Sequence, residues 1–455
     1  MTTATPISTE FRALLALALP IAMTQLAQHG IGFVDTVMAG RAGATELAAV
    51  ALGSSLWIPL FLALEGLLMA TTPLVAHEVG ASRPQQAAGI FSTATWVALA
   101  CGIIAFAFLN NSSEIFVLMG VEESLRVKTD AYLSAISWGF PAFMFYQVIR
   151  SFSEGFGRTS PVMKIAVIAL ICNIPLNYLF VFGKLGLPAM GAEGCGWASA
   201  LVMWIMLFCG SFYLKRTRTF QACKLRENLR LPELEATKRF LRLGIPIGIA
   251  LLIEASMFAF IALLLADLGE NAIAAHQVTI SFTGMTFMIP LSIAMAITIR
   301  TGQRLGADDA GGARLAAYSG LAMTLVCAFI SSGTMLLLNQ QIATIYTDAA
   351  AIITVAAELI TIAAIFQFSD AIQVACAGAL RGYKDTSTPL LFVFVAYWVI
   401  GLPTGYILAK TDLLTAPSGP HGFWIGLIIG LTVGAILLLS RMIRMTRVSR
   451  CTKPA

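Results

Sequence analysis

The sequence predicts an all-α integral membrane protein, with twelve transmembrane helices in two six-helix bundles related by a pseudo-two-fold axis along the membrane normal. Three observations predict it. Hydrophobic residues fill 58% of the 455 positions and charged ones 12%, giving a mean hydropathy of +0.82 that an ordinary soluble surface does not carry. Apolar runs long enough to cross about 30 Å of hydrocarbon recur along the whole chain. Turn and kink positions of the first half return in the second.

In order, the spans of the first half begin near Leu14, Leu47, Ala87, Ala131, Val162 and Gly194. The first has no A-x-A cleavage site and is followed by further spans, so it reads as a retained helix and not a signal peptide. A basic stretch follows, with Lys215, Arg216, Arg218, Lys224, Arg226, Arg230, Lys238, Arg239 and Arg242. Spans of the second half begin near Leu241, Ala272, Ala313, Ile352, Leu390 and Gly422, and the tail carries Arg441, Arg444, Arg447, Arg450 and Lys453. With basic residues concentrated on alternate segments, both termini are expected on the cytoplasmic side. These runs flank spans and lack interleaved aromatics, so they read as topology signals and not as a nucleic-acid surface.

Loops and kinks repeat together. Leu19-Pro20-Ile21 comes into register with Ile245-Pro246-Ile247, Val79-Gly80-Ala81 with Leu305-Gly306-Ala307, and Pro175 and Tyr178 with Pro403 and Tyr406. Six spans per half start both halves on the same membrane side, which makes the repeat parallel. The expected domains are residues 1–214 and 241–455, joined by a basic link at 215–240 that carries Asn228 and Pro232 and is long enough for the halves to rock. Pro20 and Pro246, each removing one backbone hydrogen bond, are the expected hinges. The eight cysteines, Cys451 among them, show no C-x-x-C pairing and mostly sit in apolar spans, as small hydrophobes do.

A charge at the bilayer centre costs about 2.5–3.5 kcal/mol on insertion scales, so acidic residues within spans need a reason. Four candidates stand out: Asp35, Glu65, Glu254 and Asp370. Glu254 and Asp370 fall deep in their spans. Asp35 is read either as a buried group or as an interfacial one, and Glu65 as facing the interior or a partner helix. No Lys or Arg is expected as deep, so the interior is taken to be acidic and a bound substrate to be cationic. Desolvation disfavours the charged form of a carboxylate, which lets such a group exchange a proton for a cation. Sodium would use the same oxygens. Phe282, Met285, Phe287, Met288 and Met295 either line an adaptable apolar pocket or pack the helices.

Several classes are excluded by motif. There is no G-x-x-x-x-G-K-[ST] run for ATP, and His77-Glu78 has Ala81 where a zinc protease needs its second His, so no enzyme is expected. Lone His29, His276 and His421 read as structural residues. The rival function is a flippase for lipid-linked saccharide or peptidoglycan precursor, which would want Arg or Lys around an anionic pyrophosphate. A channel would leave the two-fold repeat unexplained.

On Gly32-Phe33-Val34-Asp35-Thr36-Val37-Met38-Ala39-Gly40, Ala274-Ala275-His276-Gln277-Val278, Glu254, Asp370 and Leu380-Arg381-Gly382, the chain resembles the multidrug and toxic compound extrusion (MATE) family, NorM-like branch, over nearly its whole length. The resemblance implies a V-shaped pair of six-helix lobes exporting cationic drugs or dyes in exchange for H⁺ or Na⁺. It implies a monomer among membrane lipid in a bacterial inner membrane, with no cofactor beyond the coupling ion. Carried over by match, Asp35 is the first-lobe carboxylate, and Glu254 with Asp370 form the second-lobe cation site, a metal site if the ion is Na⁺. Ser55, Gln277 and Asp348 resemble substrate-contacting positions, to which the apolar reading adds Phe282, Met285 and Phe287. Relatives that use Na⁺ tend to have tyrosine one turn before the aspartate; Phe366 stands there in this chain. The missing hydroxyl favours H⁺.

Overall fold

The structure, a computed structural model, describes residues 7–221, 223–225, 230–231, 233–413 and 416–451. Arg226, Asn228, Pro232 and Lys453 lie outside the described residues, as do the side chains of Arg450 and Cys451. Among the described residues there are helices and no strands. In the first half these are α1 (Ile7–Ala42), α2 (Ala44–Leu68), α3 (Thr71–Gly80), α4 (Pro84–Asn110), α5 (Ser113–Leu118), α6 (Glu123–Ser137), α7 (Phe140–Gly155), α8 (Ser160–Phe182), α9 (Ala192–Arg216) and the short α10 (Arg218–Gln221). The second half has α11 (Leu234–Leu264), α12 (Glu270–Gly306), α13 (Ala310–Tyr346), α14 (Ala350–Gly382), α15 (Ser387–Phe394), α16 (Leu402–Lys410) and α17 (Pro420–Cys451).

Among the described residues, eleven segments are long and apolar enough to cross a membrane. The fourth expected span is instead the pair α6 and α7, broken at Trp138-Gly139. Glu123, Arg126, Lys128 and Asp130 in the first half of α6 dilute its apolar character. Between α15 and α16, Val395–Gly401 winds as a π-helix. Pro403 in the first turn of α16 has no N–H to give to the turn before it, and the wider winding is one way to accommodate that loss.

Contacts divide the chain into two compact units, one of Met23–Gly248 and the other of Met1–Ala22 with Ile249–Ala455. These borders differ from the expected 214 and 241, falling just beyond Pro20 and Pro246 in helices that continue through both prolines. Two local causes account for the exchange of the opening turns. Glu10 of α1, fully buried, takes a bidentate pair from Arg300 (Nε 2.7 Å, Nη2 2.8 Å) and a further bond from Arg304 at 2.9 Å, both on α12. On α11, a Cβ at Gly244 would lie 2.3 Å from the Leu67 carbonyl oxygen and one at Gly248 2.3 Å from that of Ala63, so only glycine lets this helix lie against α2.

Within Met23–Gly248 the core gathers Tyr132, Phe140, Tyr146 and Phe152. The described part of the basic stretch folds onto this core: Phe220 is buried, and Ser92 and Trp96 donate to the Arg230 carbonyl at 3.1 and 2.8 Å. The other unit packs Met257, Tyr397, Phe423, Trp424 and Leu427. There α16 and α17 touch backbone to backbone, a Cβ at Gly426 falling 2.3 Å from the Gly405 Cα.

Candidate functional site

Asp35 sits on α1 inside Met23–Gly248 and is 8% exposed. Asn173 and Asn177 stand one turn apart on α8, on either side of Pro175, and their Nδ2 groups donate to Asp35 Oδ1 at 3.0 and 2.7 Å. From α9, Ser199 Oγ donates to Oδ2 at 2.6 Å. Such charge-assisted bonds are the strong kind. Three donors from two helices therefore hold one carboxylate, and among the described residues nothing partners the buried Asn173 and Asn177 Oδ1 atoms.

The other unit treats its carboxylates differently. Asp370, on α14, is 3% exposed, and among the described residues nothing donates to its carboxylate. Glu254, half-buried on α11, accepts one bond, from Tyr397 Oη at 3.3 Å, and Tyr397 in turn accepts from Gln373 Nε2 at 3.1 Å. The two acids are near enough for like-charge repulsion. Arg381 is near enough to be drawn to the charge of Glu254, and its Nε donates to the Ala377 carbonyl of its own helix at 3.3 Å. Phe366 packs edge-on against Trp424, ring centroids 5.9 Å apart, and Trp424 Nε1 donates to His276 Nδ1 at 3.2 Å. His276 is thus a core acceptor, while His421 Nε2 lies 2.8 Å from Glu358.

One expectation is corrected. The interior does hold a deep base: Arg150 on α7 is 2% exposed and pairs with Glu154 at 2.9 Å and Glu65 at 3.4 Å. Its placement near the end of an imprecisely bounded span hid it from the sequence. The acids leave it outnumbered, so the cluster stays net negative. Glu65 faces the interior, against α7.

The remaining candidates do not gather at one point. Ser55 is exposed on α2 and bonds the Leu52 carbonyl of its own helix at 2.7 Å. Gln277 is exposed on α12, and Asp348 is exposed between α13 and α14. Phe282 is half-buried against the core of its unit, Phe287 is half-buried, Met285 is 55% exposed, and Met288 and Met295 are buried. The methionines therefore do not share one surface. Sequence reasoning missed Asn173, Asn177, Ser199, Tyr397, Gln373 and Arg150. A signal existed for the first two, polar residues at i, i+4 around a membrane proline; for Tyr397 the π-winding was not legible.

A family model described as MatE matches residues 20–179 and 246–407, two segments that open on the repeated Pro20 and Pro246. The multidrug resistance protein MdtK of Yersinia pseudotuberculosis serotype O:1b (strain IP 31758) is 42% identical over 434 residues, 95% of this chain and 95% of that protein. MdtK of Yersinia enterocolitica serotype O:8 matches at 42% with the same coverage. Among solved structures, the eukaryotic MATE transporter AtDTX14 superposes with a TM-score of 0.86 at 20% identity, covering 98% of this chain and 99% of that one. An outward-facing multidrug resistance MATE family transporter of the MOP superfamily gives 0.87 at 21% identity, over 98% and 97%. At these identities the structures speak for the fold alone.

Proposed function

This chain belongs to the MatE family, and from that premise we propose that it is a secondary multidrug exporter of a bacterial inner membrane, extruding cationic amphipathic compounds by alternating access against an entering ion. Members of the family are transporters and not enzymes, and the helices make this a multi-pass membrane protein. The observation that carries the exchange reading is Asp370: an acid 3% exposed, without a donor among the described residues and beside a second acid, is left for a cation to neutralise. Asp35, Glu254 and Asp370 are the proposed coupling groups, and Gln277, Ser55, Asp348, Phe282, Phe287 and Met285 the proposed drug contacts. The moving parts are the six-helix halves 1–214 and 241–455 about the segment 215–240, with both termini cytoplasmic.

Protons are the preferred coupling ion, since Phe366 supplies no hydroxyl near Asp370. One observation favours Na⁺ instead: the orphan carbonyl oxygens of Asn173 and Asn177 beside Asp35 are the hard ligands that ion accepts. The flippase reading would want a basic residue for pyrophosphate; Arg150 is paired with two glutamates, and Arg381 is drawn to the charge of Glu254. In either case the two states must differ in affinity for ion and drug.

The test is efflux of a cationic dye from proteoliposomes under an imposed pH gradient or an imposed Na⁺ gradient, with wild type, Glu254→Gln and Asp370→Asn. Dye movement driven by the pH gradient and lost in both variants is the expected result. If neither gradient moves dye the antiport reading fails; if both variants keep wild-type rates the site assignment fails.

A further inference from the structure

The cluster of Arg150, Glu65 and Glu154 is not used by the exchange at Asp35, Glu254 and Asp370. We propose that Glu65 is a separate proton-binding site within Met23–Gly248, and that Arg150 relays its protonation state to α1. The proposal rests on the antiport reading above.

Charge comes first. One guanidinium, 2% exposed, faces two carboxylates, so a negative charge is left over where the dielectric is low. Glu154 is the firmly held partner: it is 2% exposed and accepts Arg150 Nε at 2.9 Å, four residues along the same helix. Glu65 is the partner that Arg150 holds less closely, through Nη1 alone at 3.4 Å, and its side chain keeps 16% exposure. The surplus charge therefore belongs to Glu65.

A proton suits this place better than any other cation. The guanidinium 3.4 Å away repels a metal ion or a drug ammonium brought up to Glu65, whereas protonation only removes a charge. The charged groups facing Glu65 are Arg150 and Glu154, both from α7, with the Tyr146 phenol beside that pair. From α1 the facing groups are the neutral amides of Gln25 and Gln28.

Gln147 is built to serve both protonation states. Its Nε2 donates to Glu65 Oε1 at 2.5 Å, while its Oε1 is buried and among the described residues has no partner. Turning the amide over exchanges donor for acceptor, so the same side chain receives the O–H of the neutral acid. The step is balanced: a proton leaves water for a Glu65 oxygen, the Arg150–Glu65 ion pair at 3.4 Å is given up, and hydrogen bonds are exchanged around it.

The relay follows from shared donors. Arg150 Nη1 is divided between Glu65 at 3.4 Å and Gln28 Oε1 at 3.2 Å, while Nη2 donates to Gln25 Oε1 at 2.8 Å. Neutralising Glu65 releases Nη1 to Gln28 and tightens α7 onto α1. That helix contributes its first turns to one compact unit and the rest to the other, so its attachment to α7 is where the protonation state of Glu65 would act on the transport cycle.

The test uses the whole protein, purified and reconstituted. A pH-difference infrared spectrum of wild type is expected to contain a carboxylic-acid C=O band that is absent in Glu65→Gln and retained in Asp370→Asn. Dye efflux by Glu65→Gln is expected to shift its half-maximal pH by about one unit or more, with dye affinity within about twofold of wild type. Because the substitution leaves Arg150 and Glu154 as a balanced pair, the variant is expected to fold with an unchanged or higher Tm, and Glu154→Gln to lower it. An unchanged set of bands, an unchanged pH profile, or an unfolded Glu65→Gln overturns the proposal. If Asp370→Asn loses gradient-driven efflux while Glu65→Gln matches wild type in bands and profile, this proposal fails and antiport stands. If no gradient moves dye in wild type, antiport fails, and the infrared band still decides whether Glu65 binds a proton.

Discussion

Asp35 and Asp370 are both buried aspartates on long membrane helices, one in each compact unit, yet Asp35 receives three hydrogen bonds and Asp370, among the described residues, none. Burial alone does not define a coupling site; the donor set does. The carboxylate of Asp35 is met by fixed donors from its own unit. The one left without them depends on what arrives. Helix irregularity contributes to both environments: Pro175 lies between the two asparagines that hold Asp35, and the π-turn before Pro403 carries the tyrosine that meets Glu254.

The largest effect should break this contrast directly. Asp370→Asn removes a charge that has no partner, so we expect gradient-driven dye efflux to drop at least about tenfold. The Tm should nevertheless rise or hold, because a buried uncompensated charge is itself costly. Asp35→Asn should do the opposite to stability: it offers an amide to the Nδ2 donors of Asn173 and Asn177, and losing charge-assisted bonds costs about 1.5–3 kcal/mol. Thermal unfolding of the two variants side by side checks the pair. A loss of Tm in Asp370→Asn equal to that in Asp35→Asn would erase the distinction between the sites.

These contrasts were only half legible in the sequence. Membrane class, two-fold repeat and the acids themselves follow from composition, the repeated Pro and Gly positions and the rarity of charge in apolar runs. The surroundings of the acids do not, because they come from distant segments: Ser199 and Asn173 reach Asp35 across more than a hundred residues, and the burial of Arg150 on α7 depends on Glu65 of α2 as well as Glu154. The borders at Pro20 and Pro246 were hidden for a related reason. The prolines were readable, but the grip of Arg300 and Arg304 on Glu10 and the close approach at Gly244 were not.

A smaller effect sharpens the second-unit side of the comparison. Tyr397→Phe removes the phenol that links Gln373 to Glu254, bonds of 3.1 and 3.3 Å, and leaves the ring in place. A typical neutral hydrogen bond contributes about 0.5–1.5 kcal/mol, so efflux should fall a few-fold and not collapse. The loss should depend on pH, since the phenol meets a group proposed to exchange protons. A uniform loss at every pH would assign Tyr397 to packing alone.

The smallest effect concerns which ion enters. Phe366→Tyr restores a hydroxyl one turn before Asp370, in a ring that is 5% exposed and already packed edge-on to Trp424. A buried hydroxyl without a partner costs about 1–3 kcal/mol, so the variant should lose some Tm in Na⁺-free buffer. Efflux driven by a pH gradient should stay within about twofold of wild type, because no proton-carrying group has changed. The discriminating measurement is the Na⁺ dependence of Tm. A ligand that binds only the folded state raises stability with its concentration, and the new hydroxyl gives Na⁺ a further hard oxygen beside Asp370. Na⁺ should therefore recover the lost Tm in Phe366→Tyr and leave wild type unmoved. Should Na⁺ stabilise wild type as much, the phenylalanine does not select the ion, and the orphan oxygens of Asn173 and Asn177 become the better guide to where Na⁺ binds.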